Sequence, residues 1–176
     1  MKILDHFSIP FKGLGNGMHS IEFSVNDSFF KAFENAQIDN GQFTVNLELE
    51  KKFDHSELFF DIEGFTKTTC DRCMEPISLP VRGSYKLLLK VSEDEESTDE
   101  ILFISPETST VNLAQVIYEY ICLSLPLTKI YDCEDDENPP CNEQVLERLG
   151  FETEEEEDDE ESTIWDSLKG LDFDNE

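Results

Sequence analysis

Residues 42–50, QFTVNLELE, alternate without a break: Phe43, Val45, Leu47 and Leu49 fall on one face of an extended chain and Thr44, Asn46, Glu48 and Glu50 on the other. A period of two predicts a half-buried strand. The segment SELFFDIEGFTKTT (56–69) keeps this character, with Leu58, Phe60 and Ile62 in phase, and ISLPVRGSYKLLLKV (77–91) returns in it. HSIEFSV (19–25) and EILFI (100–104) read as two shorter strands. Gly64 and Gly83 are expected to mark bulges or bends. Pro80 has no N–H to give to a ladder and suggests an edge or an irregularity.

The period changes elsewhere. Asn26, Asp27 or Ser28 can cap a helix running through FFKAFENA for two to three turns, because each offers an oxygen to the free amides of a first turn. Asp39-Asn40-Gly41 then supplies a turn. Between 112 and 125, Leu113, Val116, Ile117, Tyr120 and Ile121 recur at i, i+3, i+4, i+7 and i+8. That stripe predicts an amphipathic helix, capped by Asn112 and ended by Pro126. Cys122 lies inside it and reads as a small core residue. EQVLERLG (143–150) reads as a short helix stopped by Gly150.

Antiparallel strands with one or two packed helices predict an α+β domain over residues 1–150, with an antiparallel sheet that can be barrel-like. Nine of the ten residues 152–161 are acidic, so 151–163 is expected to be a disordered linker, and 164–176 a short amphipathic segment.

Charge sharpens the picture. The 176 residues carry a formal −28, but residues 51–90 hold seven bases against six acids, while residues 152–176 hold thirteen acids and one lysine. The bases Lys67, Arg72, Arg82 and Lys86 therefore sit in the one segment that is not acidic. Two partners follow. A basic patch there could neutralise the phosphates of an RNA. Alternatively, the acidic runs could attract a basic protein, with Trp165, Ile164 and Leu168 as an apolar anchor beside them. No secretory signal is visible in MKILDHFSIPFK, and no run approaches the ~20 apolar residues that span a bilayer, so a soluble cytoplasmic protein without membrane or small-molecule partners is expected.

Candidate chemistry centres on TTCDRCMEPI, residues 68–77. Cys70 and Cys73 lie between two strands, where a tight turn can aim both sulfurs at one ion. A structural zinc needs two further ligands, and Cys133 and Cys141 are available. A turn carrying reduced cysteines is the alternative, and both readings stay open. A redox dithiol needs a lowered thiol pKa, usually at a helix N-terminus, and no helix is predicted at Cys70. His6, His19 and His55 are scattered, KGLGNGM lacks the G-K-[ST] of a phosphate loop, and no nucleophile with its base is recognisable. A non-enzymatic protein is expected.

Three blocks in this order carry a resemblance: the CDRC turn within TTCDRCMEPISLPV, the helix VNLAQVIYEYICLSLPL ending in Glu119–Pro126, and WDSLKGL after an acidic stretch. Over roughly residues 40–170 the chain resembles the YceD family of large ribosomal RNA subunit accumulation proteins, from which it departs by its long acidic tail. The resemblance implies a role in synthesis, processing or stability of large-subunit ribosomal RNA during ribosome assembly, without catalysis; the expected partner is then the pre-ribosome and its RNA or, on the charge argument above, a basic ribosomal protein.

Overall fold

The computed structural model describes residues 3–34, 36–93, 97–98, 100–133 and 140–149. The alternating segments form a five-stranded sheet from β2 (Gly17–Val25), β3 (Gln42–Lys51), β4 (Ser56–Thr69), β5 (Pro76–Val91) and β6 (Ile101–Ile104), in that spatial order. The first four make an antiparallel meander. β6 then joins β5 in parallel, from Leu88 opposite Ile101 to Val91 opposite Ile104. A second, two-stranded sheet pairs β1 (Ser8–Ile9) with β7 (Val111–Asn112). The domain is α+β, and among the described residues the larger sheet stays open.

The sheet contains one departure from expectation. Gly64 lies directly opposite Phe43 on one side and Val81 on the other, and Gly83 lies opposite Ile62, all in unbroken register. Neither glycine makes a bulge. Both are sites of close approach: a Cβ at Gly64 would run into the Gln42 carbonyl and stand 2.7 Å from the Phe43 Cα, and one at Gly83 would meet the Ser124 hydroxyl and stand 2.8 Å from the Tyr85 ring. Pro80 belongs to the part of β5 that β6 does not cover, so it does sit at a local edge.

The predicted apolar phase is the buried one. Phe43, Val45, Leu47 and Leu49 of β3 and Leu58, Phe60 and Ile62 of β4 are buried, and they share one core with Ile117, Tyr120 and Ile121. The last three belong to α2 (Ala114–Ser124). The N-cap is Leu113 rather than the expected Asn112, which belongs to β7, though the Asn112 Oδ1 still accepts from the Ala114 N–H at 2.9 Å. The chain leaves the helix extended at Leu125, just before Pro126. Cys122 is half-buried at the edge of the core, and burial, its largest influence, raises its thiol pKa.

The first helix, α1, is shorter than its sequence predicts and covers only Asp27–Phe30. Asn26 caps it, accepting from the Ser28 N–H at 3.0 Å. Two longer-range bonds then pull the chain out of helical geometry. The Asp27 carboxylate accepts the Gly41 N–H at 3.0 Å, and the Tyr118 hydroxyl on α2 accepts the Gln37 N–H at 2.8 Å. Helix propensity in FFKAFENA loses to the need to turn into β3. The aromatic rings are used for packing: Phe29 and Phe30 are buried, and Phe33 stacks on Tyr118 with centroids 4.4 Å apart.

The chain divides at Asn142 into two units, residues 1–142 and 143–176. In the second, EQVLER forms the expected helix α3 (Glu143–Arg148). Gly150, the acidic linker and the terminal segment with Trp165 lie outside the described residues. Among the described residues, no helix is long and apolar enough to cross a membrane.

Candidate functional site

All fourteen residues of β4 pair with β5, so the hairpin holds its far end, residues 70–75, at a fixed place. The Cys70 N–H donates to the Glu75 carbonyl at 2.8 Å and the Met74 N–H returns to the Cys70 carbonyl at 2.9 Å. Met74 closes the turn at φ 64°. This left-handed conformation is uncommon for a residue with a side chain, and it directs Cys70 and Cys73 inward.

A hairpin end would normally leave its side chains in solvent, yet Cys70 and Cys73 are 0% and 1% exposed. The loop after α2 covers them. Asp71 and Lys129 bond reciprocally, the Asp71 N–H to the Lys129 carbonyl at 2.8 Å and the Lys129 N–H to the Asp71 carboxylate at 2.7 Å. On the other side, the Asn142 amide donates to the Glu75 carboxylate at 3.2 Å. Between these two clasps the loop brings in Cys133 and Cys141, which are joined as a disulfide. Four of the chain's five cysteines thus share one corner of the domain.

Arg72 links the two halves of that corner. Its Nη2 lies 2.7 Å from the Cys133 sulfur and 3.9 Å from the Cys141 sulfur, and its Nε is buried with no hydrogen-bond partner. Burial raises the Cys70 thiol pKa, but the N–H groups of Tyr131, Cys73 and Arg72 turned toward the sulfur, with the Cys73 thiol, outweigh it and leave the pKa lowered. The corner is built to accept negative charge on sulfur. Among the described residues no three potential ligands are arranged around a common metal position. No helix begins at Cys70, as expected.

The predicted partner-binding cations do not form one patch. Arg72 faces the sulfurs. Arg82 pairs with Glu63 at 2.7 Å across the β4–β5 ladder. Lys86 pairs with Glu57 at 2.5 Å and lies over the Phe59 ring, 5.2 Å from its centroid. Lys67 is exposed at the lip of a cleft of about 230 Å³ that also includes Asn40, Thr66 and Lys129. Trp165 lies outside the described residues.

Arg82 and Lys86 project from the solvent face of the sheet, where acids outnumber them. Glu22, Glu48, Glu50, Glu57, Asp61 and Glu63 all alternate with buried positions on β2, β3 and β4. Glu50 and Glu57 stand directly opposite each other, an arrangement that would repel without a counter-ion. Lys52 supplies it, bridging Glu50 at 3.1 Å and Glu57 at 2.5 Å. With Lys52 first, then Lys86, and a smaller contribution from His55, the Glu57 carboxyl is held down to about 2 from an ordinary 4.5. The sequence alone assigns Lys52 and Glu57 no role, because they meet only when the β3–β4 turn folds Lys52, just past the end of β3, back onto β4. The histidines are hydrogen-bonding surface residues where their contacts are described: His19 meets the Gly15 carbonyl at 2.8 Å and His55 the Asp54 carboxylate at 2.8 Å.

A depressed carboxylate contributes stability that is present above its unfolded pKa and lost as pH falls through the folded value. Glu57→Gln is therefore expected to be less stable than the parent by a constant margin above pH 4.5, and the margin should close between pH 4.5 and about 2. Denaturant titrations of both proteins across this range check it. A margin that did not change below pH 4.5 would mean that the ion pairs contribute nothing. Lys52 and Lys86 are 37% and 51% exposed, so added salt should narrow the margin at neutral pH.

Comparison with curated proteins and with solved structures gave no match. The family described as large ribosomal RNA subunit accumulation protein YceD matches residues 58–172, which run from β4 through the cysteine turn, α2 and the covering loop into the terminal segment. That match spans more than half of the 176 residues, and the chain belongs to the YceD family.

Proposed function

We propose that this chain is a non-enzymatic, cytoplasmic ribosome assembly factor that supports synthesis, processing or stability of large-subunit ribosomal RNA, and that it meets the pre-ribosome through a basic ribosomal protein. The family match over residues 58–172 carries the first half. The family's name refers to accumulation of that RNA and to no catalysed reaction. Depleting the protein is expected to lower large-subunit RNA relative to small-subunit RNA. An unchanged ratio would remove the assembly role.

The choice of partner rests on the pairing of the cations. A phosphate contact needs Lys or Arg that are free to shed solvent counter-ions, but Arg82 and Lys86 are held by Glu63 and Glu57, and Arg72 faces sulfur. What remains on the sheet face is net negative, which steers cationic partners and repels RNA. Recovery of the intact protein from growing cells, with and without ribonuclease, separates the partners. A basic ribosomal protein retained after ribonuclease is expected; ribosomal RNA retained by a protein-free complex, and lost in the Arg82→Glu, Lys86→Glu variant, would favour direct RNA contact instead. The second reading keeps its own support, since Lys67 is exposed and lies outside these ion pairs. In that reading deletion of residues 152–176 leaves recovery intact, whereas protein docking predicts that it falls.

A further inference from the structure

We propose that Cys70, Cys73, Cys133 and Cys141 hold one zinc ion as a tetrathiolate site, with Arg72 as the residue that neutralises and positions it.

Three independent features of the corner point there. The first is proximity. With Cys133 and Cys141 bonded to each other, no three ligands among the described residues share a metal position, but the bonds Asp71–Lys129 and Glu75–Asn142 tie the residues flanking this pair to the turn that carries Cys70 and Cys73. Zinc takes four sulfurs at about 2.3 Å in a tetrahedron and closes structural sites in this way. The second is spacing. The Cα atoms of Cys133 and Cys141 are 7.4 Å apart, beyond the roughly 4.4–6.8 Å over which disulfides usually form. Two thiolates on a shared ion tolerate that separation, because the metal stands between them.

The third feature is charge. Arg72 places its guanidinium against two sulfurs, and among the described residues its buried Nε has no hydrogen-bond partner and no carboxylate pairs with it. Arg72 is half-buried, and a partly desolvated guanidinium against sulfur favours negative charge there. A zinc ion with four thiolates carries a net charge of −2, and the guanidinium supplies half of the compensation while bonding directly to ligand sulfur. An outer-sphere donor of this kind is what a thiolate site needs.

The disulfide form and the zinc form are related by a balanced step. A dithiol reductant takes the place of the Cys133–Cys141 bond: it leaves as its own disulfide, and two thiols remain on the chain. Coordination of one Zn²⁺ by four thiols then displaces four protons. The site is structural, because all four positions are filled by protein and none is left for a substrate.

The test uses the full chain purified under a dithiol reductant. Native mass spectrometry is expected to show one zinc per chain, and cobalt exchanged into the protein should give thiolate-to-metal charge-transfer bands with the intense d–d bands of a tetrahedral site. Cys133→Ser and Cys141→Ser each remove a ligand from the loop side and should lose the bound metal and the charge-transfer bands; the hairpin and sheet do not depend on them, so folding by circular dichroism should persist. Cys122→Ser, outside the corner, should retain full zinc. Arg72→Met should keep the cobalt spectrum and weaken zinc affinity about ten- to a hundredfold. A reduced protein whose mass matches the bare chain would overturn the proposal. So would zinc that survives Cys133→Ser unchanged, since it would then be held by the acidic runs or by the Cys70–Cys73 pair alone.

Discussion

Phe30→Ala is expected to cost about 3–5 kcal/mol, the range for truncating a fully buried phenylalanine. Phe30 is 0% exposed and packs edge-to-face against Phe29 at 5.5 Å and Phe43 at 5.8 Å between centroids. Phe29 in turn meets Phe7 at 4.5 Å and Phe33 at 5.1 Å, and Phe33 stacks on Tyr118. This row of rings joins the N-terminal turn, α1, β3 and α2, so a cavity at Phe30 opens where four segments meet. Rings are rigid and cannot flow into the space, which places the cost toward the upper end of the range. With about 2–4 °C lost per kcal/mol in a chain of this size, the thermal midpoint should fall on the order of 10 °C. Phe53→Ala is the control: Phe53 is 98% exposed at the β3–β4 turn and its loss should stay within about 0.5 kcal/mol. If the two variants unfolded together, the aromatic row would not be part of the cooperative core.

The strands were legible because their chemistry is local. Phe43, Val45, Leu47 and Leu49 specify a face by alternation alone, and no tertiary contact is needed to read it. The same holds for α2, whose stripe of Leu113, Ile117 and Ile121 is fully buried. Where sequence reasoning failed, a distant partner decided. α1 stops at Phe30 because Asp27 accepts the Gly41 N–H and Tyr118 accepts the Gln37 N–H, partners far apart along the chain. The parallel seating of β6 on β5 is equally invisible, since EILFI carries no mark of its direction.

The site divides along the same line. Cys70 and Cys73 announce themselves by spacing and by their place between two strands. That Cys133 and Cys141 reach them is fixed by Lys129 on Asp71 and by Asn142 on Glu75, four residues of ordinary type whose pairing no local pattern encodes. The bases of residues 51–90 showed the limit of counting charge. Their sum of +1 suggested a patch, but β-register assigns Arg82 to Glu63 and Lys86 to Glu57, and the turn folds Arg72 onto sulfur.

Gly64→Ala separates the two accounts of this glycine. Were Gly64 a bulge, an alanine would find room on a bent, locally unpaired strand, and stability would change little. In the continuous ladder its new Cβ meets the Gln42 carbonyl and the Phe43 Cα, both backbone atoms of β3 that cannot rotate aside as a side-chain tip would. Overpacking of this kind costs about 1–3 kcal/mol, and relief requires β3 and β4 to move apart, so the upper end is expected. Amide exchange should report the movement, with protection falling along β3 near Gln42 and Phe43 and holding at the paired ends of β4 and β5 near Thr69 and Pro76. Gly13→Ala is the comparison. Nothing lies within 4 Å of a Cβ there, so it should be neutral or gain a few tenths of a kcal/mol through lost freedom in the unfolded chain. Equal stability of the two alanine variants would show that β3 and β4 do not approach at Gly64 as closely as their register requires.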